Sequence, residues 1–318
     1  MLQHVIRKVL MVIPLLILIS IILFFLISML PGDAVLAMIG DTGDIAYIEQ
    51  LRSQIGLDKP LYQQYFDWIR NLFKGDLGRS ILTRQPVVNI VKVRFPVTLE
   101  LTILAILISM VIAIPAGILS AVKRNSVWDV IMSVVSMFGI AMPPFWIGIL
   151  AIMFFSLKLN WLPASGFVPF FQDPIANLRS LAMPAFTVGL AFAATVMRQT
   201  RSAFLEILNQ DFIMTARSKG LREKIVLWKH ALRNALIPII TVISLQIGRL
   251  IGGSVVTETV FALPGMGREI ADGLLSRDYP VVMAMILITA VFVVVTNTIV
   301  DVLVVIVDPR ISRTSAKG

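Results

Sequence analysis

Six long apolar runs recur along the 318-residue chain and constrain its fold more than any other feature. They lie near Val9–Leu30, Val97–Ala121, Val130–Leu157, Leu181–Arg198, Ile237–Thr257 and Val281–Val307. Crossing about 30 Å of hydrocarbon takes about twenty helical residues. Inside lipid the backbone must satisfy its own polar groups, so helices are the expected spanning form. The expected fold is an all-α polytopic membrane protein with six transmembrane helices. Composition agrees, at 57% hydrophobic and only 15% charged residues. The expected organisation is a cytosolic tip and first span (1–30) and an extracytoplasmic helical loop (31–96). A five-span core (97–307) containing a polar cytosolic loop (199–236) and a cytosolic tail (308–318) complete it.

Basic residues give the orientation, because lysine and arginine accumulate in short cytosolic loops. With the N-terminus inside, cytosolic segments carry Arg7 and Lys8, Lys123 and Arg124, the stretch Asp211–Arg233, and Arg310, Arg313 and Lys317. The two shorter outside loops hold only Lys158 and Arg179, and Arg268 and Arg277. Both termini are therefore expected in the cytosol. The net charge of +9 is assigned to that face rather than to nucleic acid, for which no aromatic-interleaved basic patch is present. With no cysteine, disulfide and thiolate chemistry are excluded, and His4 and His230 are too far apart in sequence to suggest a metal site. The first run is too long for a cleaved leader and is expected to be a retained span.

The stretch DFIMTARSKGLREKIVLWKHALR, Asp211 to Arg233, interrupts two apolar runs with six basic residues. It reads as two short helices joined at Gly220, where glycine takes the left-handed conformation without penalty. Thr215, Ala216 and Ser218 are small enough to let another protein's backbone come close. Taken alone, the stretch is a basic cytosolic loop. TARSKGL followed by HALRNALIP resembles the coupling loop of bacterial ATP-binding-cassette importer permeases, specifically the dipeptide/oligopeptide/nickel branch. The general importer motif is E-A-A, three residues, G, then I-x-L-P. Ala216 and Gly220 match it, whereas Met214, Thr215 and His230–Arg233 depart from it in the way the peptide branch does. The resemblance implies that Met214, Thr215, Ala216, Arg217, Lys219 and Gly220 couple the chain to cytosolic ATPases.

Other segments carry the same resemblance. In the first outside segment these are LPGD at Leu30–Asp33, GLDKPLYQQYFDW at Gly56–Trp68 and GDLGRS at Gly75–Ser80. Apolar residues there recur near helical spacing, predicting two short amphipathic helices that pack on the protein or form a platform for an external partner. Pro115 and the pair Pro143-Pro144 are expected to kink the second and third spans. The small-residue face of the fourth span, including Ala185, Gly189, Ala193 and Ala194, is expected to pack closely against another helix. On the fifth span, Gln246, Arg249 and Ser254 are the expected pathway residues. A charge near mid-depth needs a watery cavity or a partner carboxylate, so Arg249 reads as cationic lining or as an intersubunit salt bridge. TETVFALPGMGREIADGLLSRDYP then resembles the branch again, with Glu258, Pro264, Gly265, Gly267, Arg277 and Asp278 as candidate gate or docking residues. A rigid turn positioning the last span reads equally well.

The resemblance implies a type I importer permease subunit that forms half of a translocation pathway for di- or oligopeptides. Its partners would be a homologous second permease, two ATPases and an extracytoplasmic solute-binding protein in a bacterial cytoplasmic membrane. The chain has neither a G-x-x-x-x-G-K-[ST] loop nor a nucleophile–base constellation, so it is expected to be no enzyme and to bind no cofactor, with ATP and Mg held by the partners. Glutathione, a nickel chelate or another small solute is an alternative cargo for the same architecture. An ion-coupled secondary transporter is the rival class, disfavoured because mid-span carboxylates are nearly absent.

Overall fold

A computed structural model describes residues 2–29 and 58–307, with the side chains at 2–9, 249, 251–253, 301 and 303–307 outside the description. Among the described residues the architecture is helical, apart from one isolated bridge between Arg79 and Pro86. In chain order the helices are α1 (Leu2–Ser28), α2 (Leu61–Phe73), α3 (Val87–Val122), α4 (Val127–Ala141) and α5 (Pro144–Ala151), which runs on as a π-helical segment, Ile152–Lys158. Then follow α6 (Pro174–Leu208), α7 (Asp211–Ser218), α8 (Leu232–Val260), α9 (Met266–Leu275) and α10 (Tyr279–Val307). A short turn and a π-helical segment, Val226–Ala231, lead into α8.

Among the described residues, five helical stretches are long and apolar enough to cross a membrane: Leu10–Ser28, Val87–Val122, Pro174–Leu208, Glu223–Gly248 and Tyr279–Val300. The sixth expected span, Val130–Leu157, is not one straight helix. It is the pair α4 and α5, bent by 98° at the junction. The cause is local: Pro143 and Pro144 remove two backbone donors, and proline forces the residue before it out of the helical region. Met142 is extended (φ −76°, ψ 128°), Pro143 follows it (φ −63°, ψ 131°), and Pro144 opens α5 at the position proline tolerates best. The kink expected at Pro115 is accommodated within the continuous α3.

Two expected boundaries move. The fourth span extends well beyond Leu181–Arg198, because Asp173 caps the start of α6 through the amides of Ile175 and Ala176 and helix continues to Leu208. The loop drawn at 199–236 therefore contains the end of α6 and the start of α8. Of the two amphipathic helices expected outside, α2 is the second, and the first lies outside the described residues, as does LPGD. Tyr65 and Trp68 of α2 pack on Phe24 of α1 with centroids 5.5 and 5.9 Å away, and the Tyr65 hydroxyl lies 3.0 Å from that of Ser20.

The centre of the bundle is the parallel pair α3 and α6, which meet at Glu100 and Asn177, at Ala105 and Gly189, and at Gly117 and Met197, and the expected small-residue face is what joins them. Ala185, Ala193 and Ala194 are buried. A Cβ placed on Gly189 would stand 2.8 Å from the carbonyl oxygen of Ala105, so only glycine permits this backbone approach. We expect Gly189→Val to force α3 and α6 apart at a cost of about 1–3 kcal/mol. Thermal unfolding of the purified chain in detergent would show a lowered midpoint, and an unchanged midpoint would refute the close-packing account.

Candidate functional site

At one end of the bundle, the last turn of α8 presents Glu258, whose side chain is fully buried. Its Oε1 accepts hydrogen bonds from the hydroxyls of Thr98 on α3 (2.8 Å) and Ser254 (3.0 Å), and its Oε2 accepts from the backbone amide of Arg268 (2.9 Å). The Thr98 oxygen in turn accepts from the amide of Met266 at 2.8 Å. Met266 and Arg268 lie in the first turn of α9, whose amides have no partner within the helix. A carboxylate at this positive helix end is favourable. Gly265 makes the arrangement possible, since a Cβ there would lie 2.3 Å from the Glu258 carboxyl carbon. Gly267 is nearly as crowded, with Val255 at 2.9 Å.

A second carboxylate closes the other end of α9. Asp278 is buried, accepts a hydrogen bond from the Ser80 hydroxyl, and accepts from the amide of Ile81 at 3.0 Å. Its own amide donates to the carbonyl of Gly273 at 2.8 Å. Arg94 of α3 pairs with Glu269 of α9 at 2.8 Å. The GDLGRS segment, the turn after α8 and the RDYP segment are therefore bonded into one network.

Candidate gate or docking residues fall in this network, and most are turned inward. Glu258, Gly265, Gly267 and Asp278 are buried and fix the shape of the turn; Pro264 is half-buried, and Arg277 is exposed in the left-handed region (φ 58°). A contact surface made of the four buried residues is corrected by their burial. Ser254, expected to line a pathway, instead holds Glu258. Gln246 is buried within the bundle, and Arg249 lies on α8 with its side chain outside the described residues. Sequence reasoning missed Thr98 and Arg94, which carry no local signal and acquire partners only through folding, whereas Ser80 stood in the GDLGRS segment without its partner being readable.

The opposite end is organised around α7. Ile213 and Ala216 point into a core formed with Phe204 of α6 and Val226, Ala231 and Ala235 before and within α8. Burial of Ala216 corrects its expected role as an approach surface; it seats the helix instead. Met214 (52% exposed), Thr215, Arg217, Lys219 and Gly220 face outward. The helix ends with the amides of Gly220 and Leu221 bonded to the carbonyls of Arg217 and Ala216, and Gly220 is left-handed (φ 71°) as this motif requires. Arg217 forks onto Glu223 at 2.7 and 3.2 Å, and these hydrogen bonds raise its proton affinity further above the usual range. Beside α7, Asp129 of α4 accepts two bonds from Arg201 of α6 (2.8 and 2.9 Å), one from the amide of Asn125 and one from the hydroxyl of Ser120 on α3. Three helices are clasped there by one carboxylate.

Comparison with known proteins bears on both ends. The family described as binding-protein-dependent transport system inner membrane component matches residues 113–313, and the corresponding N-terminal family matches residues 1–102. The chain is 42% identical over 314 residues to the oligopeptide transport system permease protein AppB of Bacillus subtilis (strain 168), covering 98% of this chain and 99% of that one. It is 40% identical over 311 residues to the glutathione transport system permease protein GsiC of Escherichia coli (strain K12), with the same coverage. Among solved structures, an inward facing conformation of the MetNI methionine ABC transporter superposes with a TM-score of 0.57 at 18% identity, over 69% of this chain and 96% of that one, which is a likeness of fold.

Removing the Glu258 carboxylate strands the Thr98 hydroxyl and the Arg268 amide in a buried site, at about 1–3 kcal/mol for each unsatisfied group. We expect Glu258→Ala to lower the unfolding midpoint of the purified chain markedly and Glu258→Gln, which keeps one acceptor oxygen, to lower it less. Equal effects of the two variants would show that volume rather than hydrogen bonding matters there.

Proposed function

The chain belongs to the binding-protein-dependent transport system inner membrane component family, and on that premise we propose that it is the transmembrane permease subunit of an ATP-driven importer of di- or oligopeptides. It is a multi-pass transport protein of the inner membrane. The peptide reading is supported by the oligopeptide and glutathione permeases that align over nearly its whole length; glutathione remains the second reading on the same ground.

In this reading the chain assembles with a homologous permease, two cytosolic ATPases and an extracytoplasmic binding protein, and it contributes half of the pathway. Both termini and α7 face the cytosol, and α9 faces outward. The observation that carries the coupling role is the seating of α7. A short helix anchored by two inward side chains, with a capped end and an exposed face around Met214, Thr215, Arg217 and Lys219, can pass on a push from an ATPase without unwinding. ATP and Mg belong to the ATPases, since this chain has no phosphate-binding loop. Alternating access would then follow from movement of α7 relative to the network around Glu258, with Gln246 and Arg249 as the pathway candidates of α8.

The test is ATPase activity of this chain co-purified with its partner subunits in lipid, with and without the binding protein. Peptide-loaded binding protein is expected to stimulate hydrolysis; failure to associate with any ATPase would overturn the reading. Gly220→Val places a β-branched residue at φ 71° with open space around its Cβ, so the strain of roughly 1–3 kcal/mol falls on the backbone of the helix end alone. Uptake is expected to fall about tenfold while membrane insertion persists, and normal uptake would remove α7 from the coupling path.

A further inference from the structure

Between α4 and α6, on the half of the bundle nearer α7, lies an open cleft of about 370 Å³ lined by Ser133, Ser136, Thr195, Arg198, Gln199 and Ser202. Two arginines border it, and they are not equivalent. Arg201 is committed to Asp129 through both of its forked bonds. Arg198 makes no ion pair or hydrogen bond among the described residues, although hydroxyls and an amide surround it. Among the described residues the cleft therefore carries one positive charge without an ion-pair partner.

Arg198 is exposed and stands at the end of the apolar run Leu181–Arg198, where water or an anion can reach it. Ser133 and Ser136 lie roughly 9–14 Å along α4 from its first residue, and Arg198 lies roughly 15 Å from the end of α6 at Leu208. A planar fork of donors among hydroxyls matches the two oxygens of a carboxylate or phosphate, and the volume suffices for such a group with its hydration.

We propose that this cleft is an oxyanion site, with Arg198 as its charged donor and the serine, threonine and glutamine side chains completing the shell. The occupant is a carboxylate of a transported solute on the inward side of the pathway, or the phosphate of an anionic lipid, which offers the same oxygens. Placement on the solute's path rests on the importer reading; the oxyanion site itself rests on this chain alone.

The chain contains no cysteine, so an introduced thiol is the only one on it, and its modification is read on this chain after separation from the partner subunits. Ser133→Cys and, separately, Ser202→Cys are introduced into the full chain, co-expressed with its partner subunits in inside-out membrane vesicles. Modification rates are compared for an anionic methanethiosulfonate (the ethylsulfonate) and a cationic one (the ethyltrimethylammonium). The anionic reagent is expected to be favoured, and Arg198→Gln to lower the anionic-to-cationic ratio by about fivefold, with Arg198→Lys restoring it. Protection by alanyl-alanine but not by its C-terminal amide identifies a solute carboxylate. Protection confined to vesicles rich in phosphatidylglycerol identifies a lipid phosphate. A ratio indifferent to Arg198→Gln, a preference for the cationic reagent (as a partner carboxylate covering Arg198 would give), or no reaction with either reagent overturns the proposal. Lack of ATPase association would remove the importer reading and leave these ratios standing.

Discussion

The carboxylate of Glu258 joins three helices, beside the Arg94–Glu269 ion pair that also ties α3 to α9. It draws a hydroxyl from α3, a hydroxyl from its own helix α8, and an amide from α9. Without it the Thr98 hydroxyl and the Arg268 amide lose the acceptor they use here. In a medium that offers no alternative partner, a fully satisfied network of this kind fixes one geometry rather than a family of them. The turn between α8 and α9 inherits its shape from this network, and α10 inherits its starting point through Asp278 and Ser80.

The α7 end repeats the device with different groups. There Asp129 gathers an arginine, a serine and a backbone amide, so that α3, α4 and α6 are tied just where α7 docks. Between the two ends the bundle relies on close backbone approach at glycine, which resists compression but carries no directional bond. Polar ties hold both ends, and close packing with the Ser244–Asn297 hydrogen bond joins the helices between them.

Much of this was legible in the sequence, and the reasons for what was not are specific. The apolar runs announced the spans, because lipid demands length and hydrophobicity together. Alanine and glycine on the fourth run announced a close helix contact, since small side chains are the simplest way to bring backbones together, but not that α3 would be the partner. Gly220 announced a left-handed helix end. Pro143-Pro144 signalled a break, but its 98° size depends on what α5 packs against, which no local pattern encodes. Glu258, Gly265 and Asp278 stood out as a motif, yet their partners Thr98 and Ser80 lie far away in sequence and look like ordinary hydroxyls. Their burial, and that of Ala216, turned residues expected on a contact surface into supports for one.

The seat of α1 bears on how the chain comes together. Leu23, Phe24 and Ile27 bury their side chains against Val282 and Met283 of α10, a pairing roughly 250 residues long. During synthesis α1 must enter the bilayer and wait for nearly the whole chain before that surface arrives. Tyr65 and Trp68 of α2 cover Phe24 from only about forty residues downstream, and a short closure of this kind forms early. The amphipathic helix and the final helix thus converge on the same face of α1 through one short and one very long closure.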